Sequence, residues 1–288
     1  MNIRFITWYG GKYRVIFQLL CLICWGSEIW IEPFMGSAAV TLNKARHPIE
    51  VINDLDGTLT SLFCLMANKE KGKELLERLL KLKYSEQEFI RAKLADKNNF
   101  RGLDEFTKAE LTFILITQSF NSTKENWRKG ITQDEYSSIL HKNLKYVHDR
   151  LQNVKVTNID AMELIAQYVT NEKAFMLLDP PYCHELRGKN ATNVYKYEMD
   201  LKKQIIMLEL IKNARCKMIV CGYRNKNGPD LYDNYLLNNG WNHYKLADLK
   251  KSCQTKIIKD TAEEWVWLNY DPPQIAKYYI NLSSKDWK

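Results

Sequence analysis

Short apolar runs recur along the chain and predict buried β-strands. The clearest is Ala174–Leu178, which stops at an acid followed by two prolines. Consecutive prolines cannot extend a strand ladder, because each lacks an N–H and fixes φ, so this strand must end in a stiff loop. Further runs of strand length are 28–34, 50–56, 154–158, 217–221, 246–250 and 264–270.

Between residues 59 and 153 the spacing of apolar residues changes from strand-like to helical. Apolar residues recur there with helical periodicity above charged outer faces, in segments 72–82, 85–96, 107–117 and 133–150. Elsewhere strands alternate with helices, as in 161–169, 201–214 and 230–239. We therefore predict an α/β fold in which a helical insertion, residues 59–153, interrupts a larger domain of residues 1–58 and 154–288.

Composition and net charge limit the kinds of protein that this chain can be. The chain of 288 residues is 45% hydrophobic, enough for a packed core, and its formal net charge of +8 suits a polyanionic partner. Its seven cysteines show no repeated paired spacing, which indicates reduced thiols rather than a disulfide framework or a zinc site. The apolar stretch 15–25 is too short to span a membrane, so we expect a buried helix there and no targeting or membrane segment.

The four residues after the run 174–178 suit chemistry on an exocyclic amine. The amine of adenine or cytosine is a poor nucleophile because its lone pair is delocalised into the ring. The Asp179 carboxylate and the Pro180 carbonyl can draw its hydrogens into a more tetrahedral arrangement, and Tyr182 offers a flat face for a base turned out of the stack. Taken alone, Asp179-Pro180-Pro181-Tyr182 could also be a rigid exit turn.

Other strand ends carry residues that suit a small-molecule ligand. The first run ends in a turn of small residues, 35–39, where a ligand can approach a helix N-terminus. A single glycine in this turn argues against dinucleotide binding, which needs G-x-G-x-x-G. Asp54, at the end of the next run, is placed to accept hydrogen bonds from two ribose hydroxyls.

The loop 117–130 is the most unusual part of the helical region. It combines amides and hydroxyls with two aromatic and three basic residues. Amides pair with adenine edges, arginine with guanine, and lysine with phosphates, so the loop suits contact with DNA. A polar loop between helices is the alternative interpretation.

These motifs resemble those of the amino-methyltransferases, which use S-adenosylmethionine and carry Asp/Asn/Ser-Pro-Pro-Tyr/Phe after the fourth strand. Trp8-Tyr9-Gly10-Gly11-Lys12 and Glu32-Pro33-Phe34-Met35-Gly36 are similar to two further family segments. The Asp-Pro-Pro-Tyr form is most similar to adenine-N6 DNA methyltransferases of the Dam type. The resemblance implies a Rossmann-like methyltransferase fold with a mixed, mostly parallel seven-stranded sheet, and it makes the helical insertion a DNA target-recognition domain.

The resemblance also assigns roles to residues. Trp8 and Lys12 would contact the methionine part of the cofactor, and Asp160 would accept from the amino group of its adenine, with capping of the next helix as a compatible role. The catalytic residues would be Asp179, Pro180, Pro181 and Tyr182. The cofactor residues would be Trp8, Gly11, Lys12, Glu32, Pro33, Phe34, Gly36, Ser37, Ala38, Asp54, Leu55, Ile159, Asp160 and Asp179. The DNA contacts would be Lys124, Asn126, Trp127, Arg128, Lys129, Tyr195 and Tyr197.

The chain departs from the family pattern at two adjacent residues. Related sequences tend to place a histidine early in the predicted helix 201–214, where this chain has Lys203 and Gln204.

The sequence therefore predicts site-specific transfer of a methyl group from S-adenosylmethionine to the N6 amine of a flipped-out adenine in duplex DNA. Cytosine-N4 methylation and a catalytically silent DNA-binding relative are the alternatives. We expect no metal and no membrane partner. The resemblance further implies action in the cytoplasm of a bacterium or of a phage-infected host, with a cognate restriction endonuclease as an optional partner in a restriction-modification system.

Overall fold

The computed structural model describes residues 3–182, 196–225, 228–250 and 261–283. The strands are β1 (Ile29–Glu32), β2 (Ile49–Asn53), β3 (Val154–Thr157), β4 (Ala174–Leu178), β5 (Lys217–Gly222), β6 (Asn242–Lys250) and β7 (Thr261–Leu268). The helices are α1 (Ile16–Leu22), α2 (Ala39–Asn43), α3 (Gly57–Ala67), α4 (Lys69–Leu80), α5 (Glu86–Lys97), α6 (Glu105–Thr117), α7 (Gln133–Leu151), α8 (Ala161–Tyr168), α9 (Leu201–Ile211), α10 (Leu231–Leu236) and α11 (Gln274–Ser283).

The strands form a seven-stranded mixed sheet in the order β3-β2-β1-β4-β5-β7-β6. Strand β4 pairs in parallel with β1 and β5, and β2 pairs in parallel with β3, whereas β7 runs antiparallel to β5 and β6. Parallel strands are buried on both faces, which explains why β4 is a continuous apolar run with every residue buried. The predicted α/β fold with a mostly parallel seven-stranded sheet is confirmed.

Contacts divide the chain into two compact units. The first unit comprises residues 1–11, 35–44 and 50–158, and the second comprises residues 12–34, 45–49 and 159–288. The sequence-based boundaries of the helical insertion, residues 59 and 153, stay a prediction.

Helices dominate the first unit. Between β2 and β3 the described chain contains helices, short turns and one isolated antiparallel bridge, between Ser119 and Trp127. A capping side chain accepts a backbone N–H at the start of each helix from α3 to α7: Asp56, Asn68, Ser85, Asp104 and Thr132. These caps explain why each helix begins where it does, since the first N–H groups of a helix have no partner within the helix.

A hydrophobic cluster fills the first unit. The ring of Phe5 meets Phe63 edge-on, with 5.1 Å between the ring centroids, and lies 5.6 Å from Phe113. Leu144 of α7 and Ile52 of β2 belong to the same cluster. The apolar faces of the helices therefore share one core with the end of β2.

The first unit also contains a buried ion pair. The Arg150 guanidinium donates two hydrogen bonds to the Glu50 carboxylate, at 2.6 and 2.9 Å, and Lys44 donates a third. Burial alone raises the pKa of Glu50, but the hydrogen bonds from Arg150 and the charge of Lys44 outweigh it and lower that pKa. The carboxylate therefore stays charged and ties α7 to β2.

The core of the second unit lies on both sides of β4. Trp30 of β1 stacks on Phe175 of β4 with 5.6 Å between ring centroids, and both residues are fully buried. Met207 and Leu208 of α9 are also fully buried. The aromatic contact anchors β4, the strand that leads to Asp179, on β1.

Two elements differ from the sequence-based prediction. Strand β6 begins at Asn242 rather than at Leu246. Its first four residues, Asn242 to Lys245, are exposed or half-buried and form no apolar run from which a strand could be predicted. The second Asp-Pro-Pro segment, Asp271–Pro273, follows β7 and leads into helix α11, which was not predicted from the sequence. The Pro273 carbonyl accepts the Ala276 N–H at 2.9 Å, and proline suits a helix start because the N–H it lacks is not needed there.

Among the described helices, none is long and apolar enough to cross a membrane. The apolar stretch 15–25 contains the short helix α1, in which Leu19 and Leu22 are buried. The cysteines of the described chain are free: Cys21, Cys24, Cys64, Cys216 and Cys221.

Helix α4 carries a glycine that its packing requires. A Cβ added to Gly72 would lie 2.5 Å from the Met66 carbonyl oxygen and 2.6 Å from the His148 ring. Alanine normally stabilises a helix interior relative to glycine. We expect the opposite sign here: Gly72→Ala should lower the free energy of unfolding by about 1–3 kcal/mol through overpacking.

Urea denaturation followed by circular dichroism measures this effect. Lys73→Ala, at the next and exposed position of the same helix, serves as the control and should leave the stability close to that of the wild type. A more stable Gly72→Ala variant would contradict the close approach of Met66 and His148.

Candidate active site

Strand β4 delivers an acidic turn to the carboxyl edge of the sheet. It ends at Leu178, as the sequence predicted, and Asp179-Pro180-Pro181-Tyr182 follows without secondary structure. Pro180 is buried, whereas the Asp179 side chain keeps 21% of its surface exposed. The turn is thus fixed by its prolines and by a fully buried strand, while its carboxylate stays accessible.

A buried lysine lies against this carboxylate. Lys12 stands in a short 3₁₀ turn, Lys12–Arg14, and its Nζ atom is 2.6 Å from Asp179 Oδ1 and 3.3 Å from Glu264 Oε1. The Lys12 side chain is 7% exposed and that of Glu264 is 3% exposed. Burial lowers the pKa of Lys12, but the charges of Asp179 and Glu264 outweigh it and raise that pKa well above the ordinary value. Lys12 is therefore an ammonium shared by two carboxylates.

Glu264 reaches the site because its strand is reversed. It lies in β7, which runs antiparallel to β5 with Trp265 opposite Gly222. The first half of β7 consequently lies beside the carboxyl end of β5, at the edge where Asp179 follows β4. Burial raises the pKa of Glu264, partly offset by the charge of Lys12.

Two contacts fix the Tyr182 side chain, one to its hydroxyl and one to its ring. Its hydroxyl donates a hydrogen bond to Glu264, and its ring meets Tyr223 edge-on with 4.6 Å between centroids. Lys12 Nζ lies 5.1 Å from the centroid of the Tyr182 ring. Burial, followed by the charges of Asp179 and Glu264, raises the pKa of Tyr182 well above the ordinary value, so its hydroxyl stays protonated.

Gln204 braces the turn from helix α9. It is fully buried, its Nε2 atom donates to the Pro181 carbonyl at 2.6 Å, and its Oε1 atom accepts from the Tyr232 hydroxyl at 2.7 Å. Gln204 is one of the two residues, with Lys203, at which the sequence analysis found a departure from the family pattern. The departure from the family pattern therefore leaves a hydrogen-bonding side chain in contact with the turn.

Glu264 and Gln204 were not predicted as site residues from the sequence. A signal existed for each: Glu264 is the acid directly before the apolar run 265–268, and Gln204 is a polar residue on the buried face of α9. Neither signal shows which turn the side chain contacts.

In the first unit, Trp8 packs on the glycine turn between β1 and α2. Gly36 has φ of +45°, and a Cβ added there would lie 2.8 Å from Trp8 Cδ1. Ala38 also has a positive φ, +49°. A Cβ added at Gly11 would lie 3.0 Å from the Trp8 carbonyl oxygen and 3.2 Å from Ser37 Oγ. The absence of a side chain at Gly36 thus lets the Trp8 ring pack directly on the backbone of this turn.

Asp54 joins the same turn to the end of β2. Its two carboxylate oxygens accept the Gly36 N–H and the Asp56 N–H, each at 3.0 Å. Burial raises its pKa to about 6, although the hydrogen bonds from Asp56 and Gly36 lower it. Leu55, beside it, exposes 39% of its surface.

The other predicted cofactor residues lie in the second unit. Glu32 and Pro33, at the end of β1, are buried, and Phe34 is half-buried. Asp160 caps helix α8 by accepting the Met162 N–H at 2.8 Å, while Ile159 before it is half-buried. The capping role considered for Asp160 is confirmed; its role toward a cofactor stays a prediction.

Lys124 turns toward Trp8 in this structure. Its Nζ atom is 5.2 Å from the centroid of the Trp8 ring and 3.6 Å from Asp56 Oδ2, and its backbone adopts φ of +63°. The sequence predicted a DNA contact for Lys124, which stays a prediction. The structure adds that Lys124 neighbours a predicted cofactor residue.

Of the remaining predicted DNA contacts, Asn126 to Lys129 lie on a folded-back loop, and Tyr197 lies in a separate segment. The Trp127 ring lies 5.5 Å from the Tyr84 ring, and the Arg128 N–H donates to the Gln118 carbonyl at 2.9 Å, which closes the loop. The exposed residues among them are Asn126, Arg128, Lys129 and Tyr197. Tyr195 lies outside the described residues.

The described residues contain no group of three or more His, Cys, Asp or Glu side chains that could hold a metal ion.

Comparison with protein-family models places this chain beside a known family. The model of a family described as D12 class N6 adenine-specific DNA methyltransferase matches residues 8–252, most of the chain. No curated protein matches. The matched range includes both Trp8 and the Asp179–Tyr182 turn.

The bracing by Gln204 generates a prediction. Gln204→Leu removes the donor to the Pro181 carbonyl and the acceptor for the Tyr232 hydroxyl, so we expect the free energy of unfolding to fall by about 2 kcal/mol. Urea denaturation measures this, with Lys203→Leu at the preceding exposed position as control. Equal stability of the two variants would show that these hydrogen bonds do not hold the turn.

Proposed function

This chain belongs to the D12 class of N6 adenine-specific DNA methyltransferases, and from that membership we propose that it transfers a methyl group from S-adenosylmethionine to an adenine flipped out of duplex DNA at a specific site. Family membership makes adenine in DNA the target, which decides against cytosine-N4 methylation. The observation that carries the proposal is the Asp179–Tyr182 turn, with an accessible carboxylate and a fixed aromatic ring at the end of a buried strand.

The residues around Trp8 fit S-adenosylmethionine. The turn at Gly36 leaves no room for a side chain beside Trp8, so the Trp8 ring lies directly on the backbone of the turn where the cofactor is proposed to bind. Both Asp54 oxygens accept backbone N–H groups, and a carboxylate oxygen can accept more than one hydrogen bond, so Asp54 can also accept from the ribose hydroxyls. We propose that these groups hold the cofactor together with the remaining predicted residues: Gly11, Lys12, Glu32, Pro33, Phe34, Ser37, Ala38, Leu55, Ile159, Asp160 and Asp179.

The catalytic step is assigned to the turn after β4. The Asp179 carboxylate and the Pro180 carbonyl accept the two hydrogens of the adenine amine, which makes its lone pair available for attack. The Tyr182 ring supports the base, whose flipping costs a few kcal/mol in unstacking. When bound, S-adenosylmethionine supplies an electrophilic methyl group on a sulfonium. Asp179 can then take the proton that the methylated amine loses.

Contact with DNA is assigned to the folded-back loop and its neighbours. Arg128 and Lys129 are exposed cations, and Asn126 is an exposed amide, so they can reach phosphates and base edges. The net charge of +8 favours a polyanion, and binding should weaken with salt. Contacts from Lys124, Trp127, Tyr195 and Tyr197 stay part of the proposal, as do a partner restriction endonuclease and action in the cytoplasm of a bacterial or phage-infected cell.

The chain contains its own control for the catalytic turn, because Asp271-Pro272-Pro273 repeats the first three residues of the motif without a following Tyr. Asp179→Ala should abolish transfer of labelled methyl to duplex DNA, since the amine loses its charged acceptor, while cofactor binding is only weakened. Asp271→Ala should keep wild-type turnover. Nucleoside analysis of the product should give N6-methyladenine.

Two outcomes would count against this proposal. Turnover retained in Asp179→Ala would exclude the assigned mechanism. A wild-type chain that binds duplex DNA but neither binds S-adenosylmethionine nor methylates DNA would favour the catalytically silent relative.

The position of Asp54 predicts a pH dependence. Its pKa of about 6 lies above the usual range because of burial, and only the ionised form can accept from both ribose hydroxyls. The dissociation constant for S-adenosylmethionine should therefore rise up to roughly tenfold for each pH unit below 6 and level off above it. Isothermal titration calorimetry measures this constant. Asp54→Asn should bind weakly at every pH, and a pH slope that survives in this variant would exclude Asp54 as its cause.

A further inference from the structure

Lys12 is already paired with the carboxylate that the target amine needs. Its Nζ atom lies 2.6 Å from Asp179 Oδ1, and the proposed function requires the Asp179 carboxylate to accept a hydrogen from adenine. An ammonium buried to 7% exposure cannot leave one carboxylate unless another keeps it paired, because a lone buried charge is strongly disfavoured. Lys12 therefore requires a second carboxylate beside it if its contact with Asp179 is to weaken.

Glu264 meets this requirement. Its Oε1 atom is already 3.3 Å from Lys12 Nζ, so a small shift of the lysine exchanges its shortest contact from Asp179 to Glu264. Cys221, another nearby group, is a buried thiol whose pKa is raised by burial, so it carries no charge with which to hold Lys12. Glu264 also accepts the hydrogen bond of the Tyr182 hydroxyl and thereby links the lysine to the ring proposed to support the base.

We propose that Glu264 is a positioning residue that keeps Lys12 paired when the target amine takes over Asp179, and that fixes the Tyr182 ring during this exchange. This inference rests on the proposed function. It explains why the site places two carboxylates on one lysine: one carboxylate is made available to the substrate, and the other retains the cation.

The test uses charge removal at Glu264. Glu264→Gln keeps the size of the side chain and an oxygen for the Tyr182 hydroxyl but removes the charge. We expect kcat for methylation of duplex DNA to fall by at least about tenfold, because Lys12 then competes with the amine for Asp179. The dissociation constant for S-adenosylmethionine should stay within about twofold of the wild-type value.

Two further variants separate charge from structure. Glu263→Gln changes the neighbouring residue of β7, whose carboxylate pairs with Lys245 at 2.8 Å, and should keep wild-type kcat. Glu264→Asp retains the charge and should keep a higher kcat than Glu264→Gln. Equal losses in the two Glu264 variants would overturn the inference, since the charge would then be irrelevant.

A double-mutant cycle with Lys12 decides whether Glu264 acts through the lysine. In the Lys12→Met background, which has no cation to retain, Glu264→Gln should change single-turnover rates by less than about twofold. The same loss in both backgrounds, or no loss in the wild-type background, would overturn the inference.

If the proposed function is wrong, the result differs from the one expected if only the role of Glu264 is wrong. A wild-type chain that transfers no methyl group to DNA fails the function itself. The titration of Lys12, followed by NMR of ¹³Cε-labelled lysines, still tests the inference in that case. Glu264→Gln should lower the pKa of Lys12, and an unchanged pKa would overturn the role of Glu264 as its partner.

Discussion

The ion pair of Lys12 with Asp179 and Glu264 is the interaction on which the site depends. A lysine this deeply buried can remain charged only beside carboxylates, and two of them surround it. The same contacts set the position of the Tyr182 ring, because its hydroxyl donates to Glu264. Acid, cation and aromatic ring are thus held as one group rather than as independent side chains.

The sheet explains how residues far apart in the chain form this group. Parallel strands place their carboxyl ends at one edge, so the turn after β4 arrives there directly. The reversed strand β7 adds a residue from its own first half, and helix α9 adds Gln204 beneath the turn. The function proposed for this edge therefore draws on a strand end, a strand beginning and a buried helix face.

The sequence predicted those parts of the structure that depend on local patterns. An apolar run closed by two prolines predicts a strand and its end, and helical periodicity predicts helices α4 to α7. It did not predict Glu264 or Gln204, because a polar residue next to apolar ones does not reveal its partner in space. The orientation of Lys124 depends on a positive φ at a non-glycine residue, which composition does not encode. Helix α11 was missed because prolines can end one element or begin another.

The reversed strand also affects where a functional fragment of this protein can be cut. The family match stops at residue 252, whereas β7 begins at Thr261. A recombinant fragment trimmed to the matched segment would keep Lys12 and Asp179 but lose Glu264, and it would expose β5 as a sheet edge. Fragment boundaries and chimeras for this enzyme should therefore follow the strands of the sheet instead of the matched range.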